Sequence, residues 1–388
     1  MIDYNKALSR TVVKTQKSGI RKFFDLMSNV SDVVGLTVGE PDFQTPWHIR
    51  EVGITSLEKG KTYYSSNAGL FELREEISKY LLRRFNLSFS PSNEVVVTVG
   101  GSEGIDAALR AVVEVGDEVI IPTPSFVCYA PLTALAGGVP VTLQTKFENN
   151  FKITPESLKA AITPKTKLLV LSYPNNPTGA IMTREELLEI AEILKDTNIL
   201  VLSDEIYAEM TYVGKHCSIA SIEGMRERTI LVSGFSKCYA MTGWRLGYVC
   251  SPAPISEQIL KIHQYGIMSA PTTSQFAAIE ALRHGDGDIK MMVEEYNRRR
   301  RYIYNRLKSI GIESFEPQGA FYIFPKVGTY GYSGEEFCSR LLNSHGCAIV
   351  PGSAFGKGGE DFARISYAYS IRHITEALER IEAFVKTL

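Results

Sequence analysis

The chain reads as an α/β protein, a doubly wound and mostly parallel sheet accompanied by a smaller α+β part. Three observations predict this. Short β-branched runs alternate with helical patterns through the middle of the sequence, the arrangement that strand–helix–strand units produce. The strand-like runs are almost continuously apolar, as strands covered on both faces must be. From about Ala281 onward the texture changes to long helices interrupted by a few strands.

Taken in order, "EVVVTV" (Glu94–Val99) is a covered strand. The segment after it sets Ile105, Ala108, Leu109, Val112 and Val113 on one helical stripe. "EVIIP", "KLLVLSY", "ILVLSDE", "RTILVSG" and "RLGYVC" read as further strands. Thr154 before Pro155 marks a helix start, because proline at the first helical position has no N–H to waste. Thr183 and Glu186 form a capping box ahead of another apolar stripe. The last helix presents Ile374, Ala377, Leu378, Ile381 and Phe384 on one face. The expected division gives residues 46–279 to a large domain, and residues 1–45 and 280–388 to a small one.

Bulk properties narrow the function. The 388 residues carry a formal net charge of −1, with 44% hydrophobic and 22% charged side chains. No global field favours nucleic acid or an anionic membrane. No apolar run is long enough to span a bilayer, and the opening residues lack the apolar stretch of a secretory signal. Six cysteines without regular spacing fit a reducing cytoplasm. The six scattered histidines form no metal-binding pattern.

Open α/β sheets bind ligands beyond the carboxyl ends of their strands, so the loops there carry the argument. "TVGGSEGIDAAL" is strand, glycine-rich turn and helix. Backbone N–H groups at such a helix start make an anion site, although the pattern is neither a dinucleotide fingerprint nor a P-loop. "SYPNNPTG" offers Asn176 as an amide donor on a rigid turn. "VLSDEIY" ends an apolar strand on Asp204, with Tyr207 three residues on; a carboxylate there needs a cation or hydrogen bonds. "LVSGFSKCYAMTGWRLGYV" sets Lys237 beside an apolar strand and Arg245 eight residues later. Phosphate cradle, amide donor, carboxylate and lysine together match pyridoxal 5′-phosphate. The phosphate needs the turn, the pyridinium nitrogen a carboxylate, the phenolate oxygen donors, and the aldehyde a lysine amine. A desolvated lysine is a good amine nucleophile.

At this point the sequence resembles the class I aminotransferases of pyridoxal-phosphate fold type I. "VGEPDFQTP", "YYSSNAGLFELREEI", "PNNPTG", "SDEIY", "SGFSKCYAMTGWRLGY" and "ARISYA" occur in the family's order over nearly the whole chain. The resemblance implies a seven-stranded, mostly parallel large domain, a smaller domain, and a homodimer with active sites at the subunit interface. It implies that Lys237 holds the coenzyme and later shuttles a proton, and that Asp204 pairs with the pyridinium nitrogen. Tyr207 and Asn176 would bond the phenolate oxygen, and Phe126 would stack on the ring. Gly101, Ser102 and Glu103 would meet the phosphate, chiefly through backbone N–H groups, with Arg245 adding charge and Tyr64 reaching across from the partner subunit. Arg364 would grip the substrate α-carboxylate, a planar task suited to guanidinium, with Gly39 and Asn176 beside it. One departure is visible. Gly234 stands where the family often has a phosphate-binding serine, and Ser236 is the expected substitute.

The implied activity is a ping-pong transfer of an amino group from an L-amino acid to a 2-oxo acid such as 2-oxoglutarate. "IPTPSFVCYAPLTALAGG" and the Lys237 block most resemble aromatic aminotransferases, and Ser102 stands where some aspartate-specific relatives carry a lysine. Aspartate or N-acyl-diaminopimelate aminotransferases remain alternatives, as does a C–S β-lyase on the same fold. Regulators of this resemblance add a DNA-binding domain in front, and the family motifs here already begin by Gly39. The run Arg298–Arg301 spreads around a helix rather than along one face and is expected to be solvated or ion-paired, not a polyanion patch.

Overall fold

The computed structural model describes residues 2–17, 19 and 32–388. Of the segment 1–45 assigned above to the small domain, residues 1, 18 and 20–31 lie outside the described residues. In chain order the strands are β1 (Val34–Gly35), β2 (Val95–Thr98), β3 (Glu118–Thr123), β4 (Val139–Gln144), β5 (Thr166–Ser172), β6 (Leu200–Asp204), β7 (Thr229–Gly234), β8 (Gly247–Cys250), β9 (Tyr322–Ile323), β10 (Cys347–Ala348), β11 (Val350–Pro351) and β12 (Ala363–Ser366).

Seven of them form one sheet in the order β2-β8-β7-β6-β5-β3-β4. Neighbours from β7 through β4 run parallel, whereas β8 is antiparallel to both β2 and β7. The register explains where a site can form. Ser172 pairs with Asp204, and Asp204 with Val232, so β5, β6 and β7 release their loops along one edge. Gly234 and Thr98 flank Gly247 at the same edge, which brings the glycine-rich turn after β2 to the loop after β7.

Every expected strand is present. The structure adds β4, whose residues Val139–Gln144 include Pro140 and are mostly exposed. An edge strand open to solvent lacks the continuous apolar run that marks its neighbours. The expected capping box of Thr183 with Glu186 forms, a helix does start at Pro155 after Thr154, and the structure adds a capping box there between Thr154 and Ser157. The five residues expected on one face of the last helix, Ile371–Val385, are all buried.

A second core joins Val34 and Leu36 to Phe321, Phe337, Ile374 and Phe384. It underlies the three-stranded antiparallel sheet β11-β12-β9 and the helices Asp286–Ile310, Gly334–His345 and Ile371–Val385. The arginine run needs a partial correction. Arg298 ion-pairs with Glu295 on the surface, but Arg299 and Arg300 are buried. Arg299 meets Asp42 and Glu295, each at 2.8 Å, and Arg300 meets Glu316 at 2.7 Å. A buried guanidinium must be paired; Glu295 lies one turn back on the same helix, whereas Asp42 and Glu316 come from other segments that helix spacing cannot reveal. Among the described residues no helix is long and apolar enough to cross a membrane.

Candidate active site

The loops at the sheet's carboxyl edge and the start of the second core enclose a cavity of about 360 Å³, within the range of small-ligand sites. Eleven of the residues singled out from sequence line it: Gly39, Gly101, Ser102, Phe126, Asn176, Asp204, Tyr207, Ser236, Lys237, Arg245 and Arg364. Glu103 does not. Its carboxylate turns back to accept from the Val99 N–H at 3.0 Å and to meet His263 at 3.2 Å. Tyr64 also lies off the cavity, 78% exposed.

Lys237 follows β7, and its Nζ donates to the Gly39 carbonyl at 2.6 Å. Burial, opposed by Glu40 and aided by the Arg364 and Arg245 charges, pushes its ammonium down to about 8. Desolvation disfavours the charged form, so a sizeable share of the amine is free near neutrality.

Asp204 ends β6 and is 6% exposed. Burial raises its carboxyl, while hydrogen bonds from Tyr129 (2.7 Å) and the Ile206 N–H (3.2 Å) hold it down. The Lys237 charge helps hold it down only as a lesser cause. A carboxylate this deep, held mainly by neutral donors, is set to receive a cation.

The glycine-rich turn opens the helix Gly100–Val112, whose first N–H groups have no partner within the helix. Gly100 has a φ of +75°, and a side-chain carbon there would come within 2.8 Å of the Arg245 Nη2. The turn and Arg245 therefore form a cradle that only glycine leaves open. Gly234 also has a reason. A side-chain carbon there would lie 2.8 Å from the Gly247 Cα and 3.0 Å from the Leu246 carbonyl. A serine would force β7 and β8 apart. Ser233 points away, toward the Glu205 carbonyl, and leaves Ser236 as the cavity's serine on this loop.

Arg364, in β12, is 3% exposed. Its Nη1 donates to the Asn176 Oδ1 at 3.0 Å and its Nη2 to the Thr37 carbonyl at 2.5 Å, while its Nε has no partner. Burial lowers its guanidinium, partly offset by the nearby tyrosines, but it stays charged.

Residues 31–381 match the family described as "Aminotransferase class I and II". YugH of Bacillus subtilis is 50% identical over 378 residues, covering 97% of this chain and 98% of its own. The aspartate aminotransferase of Pyrococcus abyssi is 43% identical, with 98% of each chain covered. Among solved structures, the aromatic aminotransferase of Pyrococcus horikoshii aligns with a TM-score of 0.90 at 43% identity, covering 94% of this chain and 99% of that one. The chain belongs to the class I and II aminotransferases.

It is accordingly a transaminase of fold type I, dependent on pyridoxal phosphate. The cavity fits that group on its own terms. The glycine turn beside Arg245 leaves room for an anion, buried Asp204 is held mainly by neutral donors, and Lys237 lines the same cavity with a lowered pKa. The unpartnered Arg364 Nε suits a carboxylate brought by an amino- or oxo-acid substrate.

Among the residues of this aminotransferase site that escaped the sequence reading, two tyrosines stand out. Tyr129 donates to Asp204 and reaches Ser172 at 2.9 Å. It lies three residues after Phe126, but its partner is 75 residues away, so only its closeness to the predicted stacking residue could have flagged it. Tyr322 lines the cavity in the run "GAFYIF", which reads as plain core strand.

Proposed function

We propose that this aminotransferase moves the amino group of an aromatic L-amino acid to a 2-oxo acid such as 2-oxoglutarate in two half-reactions. What supports the substrate preference is the apolar share of the cavity lining, which includes Val38, Ile105 and Ile206. An apolar lining favours an uncharged side chain.

The bound coenzyme supplies a carbon that accepts the amino group and a conjugated ring that spreads the charge left when the Cα proton departs. The chain's residues do the rest. The Gly101, Ser102 and Glu103 N–H groups, with Ser236 and Arg245, hold the phosphate; Phe126 covers one ring face. Asp204 keeps the ring nitrogen protonated. Tyr207 and Asn176 donate to the phenolate oxygen. Arg364, steadied by Asn176 and the Thr37 carbonyl, fixes the substrate carboxylate beside Gly39. The Lys237 amine would take the proton from Cα and deliver it to the coenzyme's C4′ carbon, as general base and then acid. We also propose a cytoplasmic homodimer in which Tyr64 serves the partner's phosphate; its exposure, with Tyr63 and Trp47 also open, supports this. Inactive Tyr64→Phe and Lys237→Ala chains, once mixed, should then regain activity.

The deciding experiment titrates the holoenzyme's visible absorbance with tyrosine, phenylalanine, aspartate and glutamate, without an acceptor. Conversion to the aminated form at the lowest concentration with an aromatic donor is the expected result. Conversion at lower concentration with aspartate would replace the aromatic assignment by an aspartate one.

A further inference from the structure

Two buried tyrosines meet at the wall of the cavity. Tyr207 stands just past β6 and Tyr322 in β9, 115 residues apart in sequence. Their hydroxyls are 2.7 Å from each other and their rings meet edge to face at 5.8 Å. Neither is more than 6% exposed. Tyr322 is also fixed by its surroundings. β9 pairs with β12, so Tyr322 lies opposite Ser366, close to Arg364 in sequence. Its ring covers the Arg364 guanidinium, with Cζ 4.6 Å from the ring centroid. Gly39 leaves room for its hydroxyl, since a methyl group there would collide with that oxygen.

Proton counting gives this pair a direction. Each hydroxyl has one proton to donate, and burial keeps both tyrosines in the hydroxyl form. An ionised phenolate oxygen can only accept. If Tyr207 spends its proton on that oxygen, the 2.7 Å contact survives only with Tyr322 as donor. We infer that Tyr322 is a positioning residue. It donates to the Tyr207 oxygen, aims the Tyr207 hydroxyl at the coenzyme's phenolate oxygen and strengthens that bond. Linked hydrogen bonds reinforce one another by roughly 10–30% each. The inference rests on the role proposed above for Tyr207.

The test reads the resting holoenzyme rather than turnover. The visible absorbance of the lysine-bound coenzyme is titrated with pH in the wild type, Tyr207→Phe, Tyr322→Phe and the double variant. A donor to the phenolate oxygen matters most when the adjoining nitrogen has lost its proton, so the donor lowers the midpoint and its loss raises it. Tyr207→Phe should raise the midpoint by about 1 to 2 pH units, the size of one charge-assisted hydrogen bond. Tyr322→Phe should raise it by about 0.2 to 0.5 units, and should add nothing in the Tyr207→Phe background. Because phenylalanine keeps the ring over Arg364, KM for the amino acid should change less than about twofold. A midpoint that moves in Tyr207→Phe but not in Tyr322→Phe overturns the inference and leaves Tyr207 in place. An equal Tyr322→Phe shift with and without Tyr207 also overturns it, since the effect would then bypass Tyr207. No shift in Tyr207→Phe would remove the underlying reading, and the inference with it.

Discussion

Lys237 can be interrogated before any coenzyme is present. Its ammonium is pushed from 10.5 down to about 8, first by burial. At pH 7.5 about one amine in four is then neutral, against roughly one in a thousand for an ordinary lysine. Only the neutral amine attacks an aldehyde, so coenzyme-free protein should capture pyridoxal phosphate some 200-fold faster than an unperturbed lysine allows. The assay is stopped-flow growth of the visible band between pH 7 and 10. The rate should climb about fivefold from pH 7 to 8 and level off within about twofold more above that. Glu40→Gln removes a charge that favours the ammonium and should move the break lower by a few tenths of a unit, because Glu40 is exposed and screened. The same shift has a stability consequence. A lysine whose folded pKa lies below its unfolded value costs stability at pH below about 8, and the cost fades as pH rises toward 10.5. At roughly 1.4 kcal/mol per pH unit the cost is capped at about 3 kcal/mol. The Nζ bond to the Gly39 carbonyl offsets part of it. Coenzyme-free Lys237→Met should therefore gain stability over wild type at pH 7 and lose that advantage by pH 10.5. A capture rate still rising beyond pH 10 would refute the reasoning, because Lys237 would then be as solvated as a surface lysine.

Other perturbations separate the remaining roles. Arg364→Ala should raise KM for both amino and oxo acid by about 10²- to 10³-fold, the usual cost of removing one partner of a buried charged pair, while the coenzyme band persists; a KM within threefold of wild type would remove Arg364 from carboxylate binding. Tyr129→Phe deletes the 2.7 Å donor that holds the Asp204 carboxyl down. Asp204 then protonates more readily, so kcat should fall about tenfold, with a steeper loss toward low pH; an unchanged acidic limb would show that Tyr129 only packs. Gly39→Ala should cut kcat/KM by at least about tenfold, since the new methyl meets the Tyr322 hydroxyl. Adding Tyr322→Phe removes the colliding atom and should restore part of the loss; no recovery would locate the damage in the backbone instead.

What could be read in advance follows the range of the interaction. Strands β5, β6 and β7 announce themselves because covering both faces demands consecutive apolar residues, and Thr183 with Glu186 because a capping box spans three residues. Gly101, Asp204 and Lys237 were legible for a related reason: a glycine-rich turn, a lone carboxylate and a lone lysine contradict the apolar strands beside them. β4 was missed because an exposed edge strand obeys no such demand. Tyr322 was missed because a buried tyrosine in an aromatic run contradicts nothing, and its meeting with Tyr207 depends on the pairing of β9 with β12.

The same distinction explains the arginines. Arg364 stands alone in an apolar strand and so invites a question, whereas Arg299 and Arg300 sit among other charges and look solvated. Their partners, Asp42 and Glu316, come from segments brought near only by the fold. Burial of charge is thus visible in sequence only where the surroundings are apolar. Arg364, however, is not closed off by its partners as Arg299 is: its Nε is left unpartnered beside a cavity. A buried donor without a partner costs about 1 to 3 kcal/mol, and a substrate carboxylate that satisfies it recovers that cost on binding. On the role proposed for Arg364, its unmet donor in the free protein sets it apart from Arg299 and Arg300, whose charges are already paired.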